Sequence, residues 1–302
     1  MTWCCGHGNV CNVYQTCTYI DILASFCDNR TSETLVFRAS RSQRGGNRGS
    51  RKTSSVQDIM NQHIKDLTKS LTHGYRYGVH EMLSWFLSET MVLWGYKPWR
   101  EVPADAQPRI QEAISHYDRA ILADEPFKDL LGPLYMELAS NGGRQALGQF
   151  FTPWPIATMM AQMTIGERAK KDGLTTMIDP ACGSGVMMLA SLAHILRRDG
   201  AEALLHYSAT GIDLDAYCAR MMAVQMLANC FVHQVQVGEI VVYCGNSLAM
   251  RDFEVITHAT APGVSMPPAA HPERIDQVVR TTNNQQSAKL PTRADQLSLF
   301  EL

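Results

Sequence analysis

The sequence lacks the features that would assign it to a membrane or a secreted protein. No apolar run approaches the ~18 to 20 residues that span a bilayer, so we expect no membrane association. The opening MTWCCGHGNV has no basic start followed by a continuous apolar core, which argues against a signal peptide and makes a cytoplasmic protein the default expectation. A net charge of -2 neither favours nor excludes nucleic acid, because a basic patch can exist within a neutral total.

The nine cysteines lack the spacing of a metal or disulfide framework. Five of them lie in the first 27 residues without a CxxC pair, and the only nearby histidine is His7: Cys4, Cys5, Cys11, Cys17 and Cys27. We therefore predict a loosely ordered extension there and no metal site. The other four are scattered through an apolar region and are expected to be reduced core thiols: Cys182, Cys218, Cys230 and Cys244.

Composition divides the chain into four segments, the first of which is unlike the rest. Residues 1–55 end in RASRSQRGGNRGSRK (38–52), with six basic residues and no acid, and such a stretch cannot bury enough apolar area to order itself. It fits either an arm that contacts phosphates or a solvated linker. An all-helical module is predicted at 56–145, a core domain at 146–257 and a flexible tail at 258–302.

Periodicity changes character between the second and third segments. Apolar residues recur at spacings of three and four in the module, as in VHEMLSWFLSETMVLW (79–94), which predicts helices. From about residue 175 three short apolar strands alternate with two helical stretches. Strands alternating with helices predict an α/β fold with a parallel, doubly wound sheet of Rossmann-like type.

The first of these strands ends in IDPACGSG (178–185), a glycine-rich turn. A parallel strand ending in this way holds a ligand outside its carboxyl end, and Gly183 and Gly185 let the backbone approach it closely. Asp179 at the strand end suits a cationic or amine-bearing ligand better than a pyrophosphate. Asp213 ends the second strand, where such folds accept hydrogen bonds from ribose hydroxyls. Adenosine joined to a positively charged amino acid describes S-adenosylmethionine.

Four blocks in order carry a resemblance to a known family. GQFFTPWPIATMM (148–160), MIDPACGSGVMML (177–189), ATGIDLDAYCARMM (209–222) and VVYCGNSL (241–248) resemble the DNA adenine-N6 methyltransferases, especially the modification subunits of type I restriction systems. The resemblance, over about residues 56–250, implies an S-adenosylmethionine-dependent methyltransferase that binds double-stranded DNA. The cofactor contacts it implies are Phe151, Thr152, Asp179, Pro180, Ala181, Gly183, Asp213, Asn246 and Ser247. Asn246 stands where an acid is usual, and its amide oxygen can still accept from the adenine amino group.

The chain departs from this family after the third strand. Members carry an Asn-Pro-Pro-Phe-like motif that holds the flipped adenine. FEVIT (253–257) could be the fourth strand, but HATAP follows it, and the only Pro-Pro is flanked by Met266 and Ala269, which can neither accept those hydrogen bonds nor stack. No catalytic residue is therefore predicted, and the sheet is expected to be incomplete, with an unpaired edge that something must cover.

The end of the chain carries a separate signal. QLSLF is similar to the short peptides by which bacterial replication and repair proteins bind the sliding clamp, with a polar hook and three apolar anchors: Gln296, Leu297, Leu299 and Phe300. A tail that folds back on its own domain is the alternative.

Four functions follow from these observations. The leading one is an adenine-N6 DNA methyltransferase-type protein that does not act alone. The others are a non-catalytic, clamp-tethered accessory protein that binds cofactor and DNA, a fragment completed by a second methylase or specificity subunit, and a small-molecule or RNA methyltransferase. The GQFFTP block speaks against the last.

Overall fold

The computed structural model describes residues 3–5, 10–11, 56–72, 76–141, 151–166, 173–249 and 251–262. Within these residues five helices precede the parallel strands: α1 (Val56–Thr72), α2 (Val79–Val92), α3 (Gln107–Ala123), α4 (Leu131–Asn141) and α5 (Trp154–Thr164). Proline in the first turn starts α3 and α5, where its missing N–H costs nothing. None of the described helices is both long enough and apolar enough to cross a membrane.

Three parallel strands then alternate with helices, which confirms the predicted α/β class. The elements are β3 (Thr175–Asp179), α6 (Val186–Asp199), a 3₁₀ helix (Ala201–His206), β4 (Tyr207–Asp213), α7 (Ala216–Val232) and β5 (Glu239–Asn246). β4 lies between β3 and β5 and is parallel to both. The carboxyl ends of all three strands therefore meet at one edge of the sheet.

The rest of the sheet differs from the expected parallel pattern. β6 (Arg251–Thr260) contains FEVIT, and it pairs antiparallel with β5 instead of forming a fourth parallel strand. It also runs past the predicted domain boundary at residue 257. Two short strands, β1 (Trp3–Cys5) and β2 (Val10–Cys11), extend the sheet beyond β6, although a disordered extension was predicted there.

The final strand order is β2-β1-β6-β5-β4-β3, which puts β3 at an edge. Among the described residues no strand pairs with the outer side of β3. A strand that carries a glycine-rich ligand turn is normally central in a doubly wound sheet, with a further strand on its other side. The expected incomplete sheet is thus observed, and the side that it lacks is the one next to the turn.

One continuous core joins the helices to the sheet. α7 lies between them and is buried along nearly its whole length, which explains why AYCARMMAVQMLANC is apolar on every side. Phe86 and Tyr117 meet edge to face inside the module, with ring centroids 5.5 Å apart. The predicted core thiols are free and mostly buried: Cys182, Cys218, Cys230 and Cys244.

Candidate functional site

The turn between β3 and α6 has a backbone that only glycine adopts readily. Gly183 and Gly185 have φ values of +54° and +92°, and Gly185 caps the amino terminus of α6. A Cβ on Gly185 would lie 2.7 Å from Cγ of Met222, and one on Gly183 would lie 3.1 Å from the Phe151 ring. The backbone N–H of Cys182 donates to the carbonyl of Ile212 at 2.9 Å, which fixes the turn against β4.

Asp213, at the carboxyl end of β4, holds the same turn. Its Oδ2 accepts from the backbone N–H of Gly183 at 2.8 Å, and its Oδ1 accepts from the N–H of Asp215 at 2.9 Å. Asp215 in turn caps α7 by accepting from the N–H of Tyr217 at 2.8 Å. The carboxylate is therefore fixed in position, and each oxygen keeps a lone pair for a ligand.

Asp179, at the end of β3, is the second acid of this edge. Its Oδ1 accepts from the N–H of Ala181 at 3.1 Å. Burial raises the pKa of this carboxyl above its ordinary value, and the negative charge of Asp213 raises it further. A positively charged ligand would offset both effects, because it interacts favourably with two carboxylates that repel each other.

Phe151 brings the block before the sheet to the glycine turn. Its half-buried ring lies against Gly183 and packs at 34° to the ring of Tyr135 on α4, with centroids 5.6 Å apart. Thr152 follows immediately and leads into α5, while residues 148–150 lie outside the described part of the chain. Two of the predicted blocks, distant in sequence, thus meet at the turn.

The remaining predicted contacts lie around this edge of the sheet. Asn246 ends β5 beside Ser247, and its Oδ1 accepts from the N–H of Ala249 at 2.9 Å, so one of its lone pairs is already used. Pro180 and Ala181 are exposed in the turn. No described hydrogen bond joins Ser247 or Pro180 to the other predicted residues.

Two exposed leucines at the same edge were not predicted. Leu214 directly follows Asp213 and is 73% exposed, and Leu248 directly follows Ser247 and is 97% exposed. Apolar side chains that follow two adjacent parallel strands can contact the faces of a planar ring. The sequence signal was the position of Leu214 directly after the acid and of Leu248 at the end of GNSL.

A buried polar network behind the turn was also missed. Asp129, which is 5% exposed, accepts from the N–H of Gly132 at 2.9 Å, from Nε2 of Gln225 at 2.7 Å and from Oγ of Ser184 at 3.2 Å. Nε2 of Gln225 also donates to the carbonyl of Ser184 at 2.9 Å. Burial raises the pKa of Asp129 despite these bonds. The turn is therefore anchored to the helical module through α7.

The residues after FEVIT lie at the wrong end of the sheet for a base-holding role. Because β6 is antiparallel, Thr260 pairs with Glu239 at the amino end of β5, away from Asp213 and the glycine turn. Nε2 of His258 lies 3.1 Å from Oε1 of Glu239 there, within hydrogen-bond distance. HATAP therefore belongs largely to β6 and lies away from the glycine turn. The region of Met266 and Ala269 lies outside the described residues.

Comparison with known proteins gives one family. The family model for N-6 DNA methylase matches residues 127–288, and no curated protein matches the chain. Among solved structures, one from Listeria monocytogenes, described as a class I S-adenosylmethionine-dependent methyltransferase, is 11% identical with a TM-score of 0.36, over 64% of this chain and 55% of that one. A type I restriction-modification methyltransferase subunit from Streptococcus thermophilus is 18% identical with a TM-score of 0.26, over 59% and 38%. The chain thus spans about half or less of the length of these structures.

Proposed function

The chain belongs to the N-6 DNA methylase family, and from that premise we propose that it is an S-adenosylmethionine-dependent protein of the adenine-N6 DNA methyltransferase type. The described sheet would form the cofactor half of its site. The observation that carries this proposal is the contact between Asp213 and the backbone of Gly183, beside the second acid, Asp179.

The residues present fit the cofactor. The two acids at the strand ends suit a ligand with an ammonium and a sulfonium group, and the Asp213 carboxylate is held in place by backbone N–H groups with lone pairs to spare. When bound, S-adenosylmethionine supplies an electrophilic methyl group. The role of the protein is to bind the reactants and to orient them.

Each predicted residue has a role in this proposal. Asp213 accepts from the ribose hydroxyls, while Asn246 and Ser247 meet the adenine edge and Leu214 and Leu248 contact its faces. Asp179 lies near the amino-acid end of the cofactor. Phe151 and Thr152 cover that end, and the turn residues Pro180, Ala181 and Gly183 approach it through their backbone.

Catalysis by this family also needs groups that hold the target adenine, and no described residue at the strand ends suits that role. Among the described strands none pairs with the outer edge of β3, which leaves its backbone hydrogen-bonding groups open to an added strand. The helix α5, which packs against α6, also exposes apolar side chains to a large extent: Ile156, Met159, Met160 and Met163. We propose that polypeptide with the remaining strands, such as that of a second methylase or specificity subunit, covers this surface and supplies the base-holding residues.

DNA binding is proposed for the helical module and the basic arm at 38–52, which lies outside the described residues. A non-catalytic accessory protein is the second candidate, and the position of HATAP away from the cofactor edge favours it. The clamp-binding peptide, Gln296 to Phe300, also lies outside the described residues and stays a prediction.

One experiment separates the two candidates. The purified full chain is incubated with methyl-labelled S-adenosylmethionine, with and without adenine-containing duplex DNA, and both binding and transfer are measured. Cofactor binding without transfer is the expected result for the isolated chain. Transfer by the chain alone would refute its dependence on added strands, and no cofactor binding would refute the proposed function.

A separate pull-down with the purified sliding clamp tests the tail. We expect the wild-type chain to be retained and the Phe300→Ala variant to be lost. Equal retention of both forms would reject the clamp-binding role.

A further inference from the structure

A cluster of metal-ligating side chains lies in the helical module, away from the strand ends. His63 and Asp66 are one turn apart on α1, and His116 lies on α3, which packs against α1. One ring nitrogen of each histidine and one carboxylate oxygen of Asp66 lie within 4.8 Å of one another. All three side chains are half-buried, so the cluster is partly shielded from water.

The two histidines are incompletely satisfied. Nδ1 of His63 and Nδ1 of His116 are both buried, and neither has a hydrogen-bond partner among the described residues. The rings are close, with centroids 6.4 Å apart and planes 33° to each other. A buried nitrogen without a partner is costly, and two of them in one cluster call for an explanation.

We propose that His63, Asp66 and His116 bind a divalent transition-metal ion of the zinc class and thereby link α1 to α3. Two imidazoles and one carboxylate form a common ligand set for Zn²⁺, with bonds of about 2.0–2.2 Å. Around such an ion the ligand atoms lie about 3.3 Å apart, so separations of up to 4.8 Å need only a small contraction on binding.

A carboxylate lies near the other ring nitrogen of His116. Oε1 of Glu112 lies 3.7 Å from Nε2 of His116, one turn before it on α3, and the carboxylate is largely exposed. It can move closer to accept from this nitrogen and so orient the ring when Nδ1 binds the ion.

Metal titration of the full-length protein tests this site. Chelator-treated protein is titrated calorimetrically with Zn²⁺ and followed by visible absorption with Co²⁺. We expect one Zn²⁺ equivalent whose affinity falls at least tenfold in His63→Ala and in His116→Ala, and a cobalt spectrum of nitrogen and oxygen ligands. His194→Ala, a half-buried histidine on α6 outside the cluster, is the matched control and should bind like the wild type.

The cobalt spectrum and a second, milder variant keep the test decisive. The cysteines near the amino terminus would give an intense sulfur-to-cobalt charge-transfer band, which nitrogen and oxygen ligands do not. If an alanine variant fails to fold, Asp66→Asn, at a position half open to solvent, serves instead and should also weaken binding at least tenfold. Unchanged affinity in the folded variants, a purely sulfur-type spectrum, or no binding to the wild type would each overturn the proposal.

Discussion

The two sides of the glycine turn are built very differently. On the inner side Ser184 bonds to buried Asp129 and Gln225, which hold the turn to the helices. On the outer side no described strand pairs with β3, and Met163 on α5, which packs against α6, is 77% exposed. The comparison teaches that buried hydrogen bonds hold the turn to the helices on one side, whereas no described strand covers it on the other.

Removal of Asp129 should give the largest effect. In Asp129→Ala the N–H of Gly132, the hydroxyl of Ser184 and the amide of Gln225 lose their buried acceptor, so we expect about 3 kcal/mol lower stability in urea unfolding. Asp105→Ala is the control, since its contact with Arg76 is exposed and should contribute less than about 1 kcal/mol. Equal losses of stability in the two variants would show that the buried hydrogen bonds behind the turn contribute no more than an exposed surface contact.

Asp213→Ala should abolish most cofactor affinity with a smaller effect on folding. It removes the ribose acceptor and frees the N–H of Gly183, so we expect S-adenosylmethionine to bind at least tenfold more weakly, about 1.4 kcal/mol. Equilibrium dialysis measures it, with Asp105→Ala again as the control. An unchanged dissociation constant would place the cofactor elsewhere.

Asp179→Asn should stabilise the chain while it weakens cofactor binding. The raised pKa means that the folded chain binds more protons than the unfolded one between the ordinary and the raised value, so stability falls as pH rises through that window and stays lower at neutral pH. The amide cannot ionise and keeps the acceptor for the N–H of Ala181. Unfolding midpoints should therefore separate as the pH rises above the ordinary carboxyl pKa and stay separated at neutral pH, with the variant higher. A lower midpoint for the variant at neutral pH would contradict this account.

Met163→Ser should have the smallest effect. The side chain is mostly in water, so urea unfolding should change by less than about 0.5 kcal/mol. A loss as large as that of Asp129→Ala would mean that the outer side is already covered in the isolated chain, and the contrast between the two sides would fail.

Local sequence signals predicted the glycine turn, the strands and the helices of the site, but not which distant residues pack around them. The turn at Gly183 and Gly185 was readable because a left-handed backbone demands glycine, and the strand-helix alternation was readable from periodicity. The antiparallel pairing of FEVIT with β5 was not readable, because the choice of a strand's partner and direction is non-local. The wider environment depends on pairs distant in sequence, such as Asp129 with Gln225 and His63 with His116, which no local pattern marks.

The most direct test of the central claim is a calorimetric titration of the wild-type chain with S-adenosylmethionine in the absence of any partner or DNA. The account predicts saturable binding of one equivalent, because the inner side of the turn is anchored without the missing strands. No detectable binding by the folded chain would contradict it.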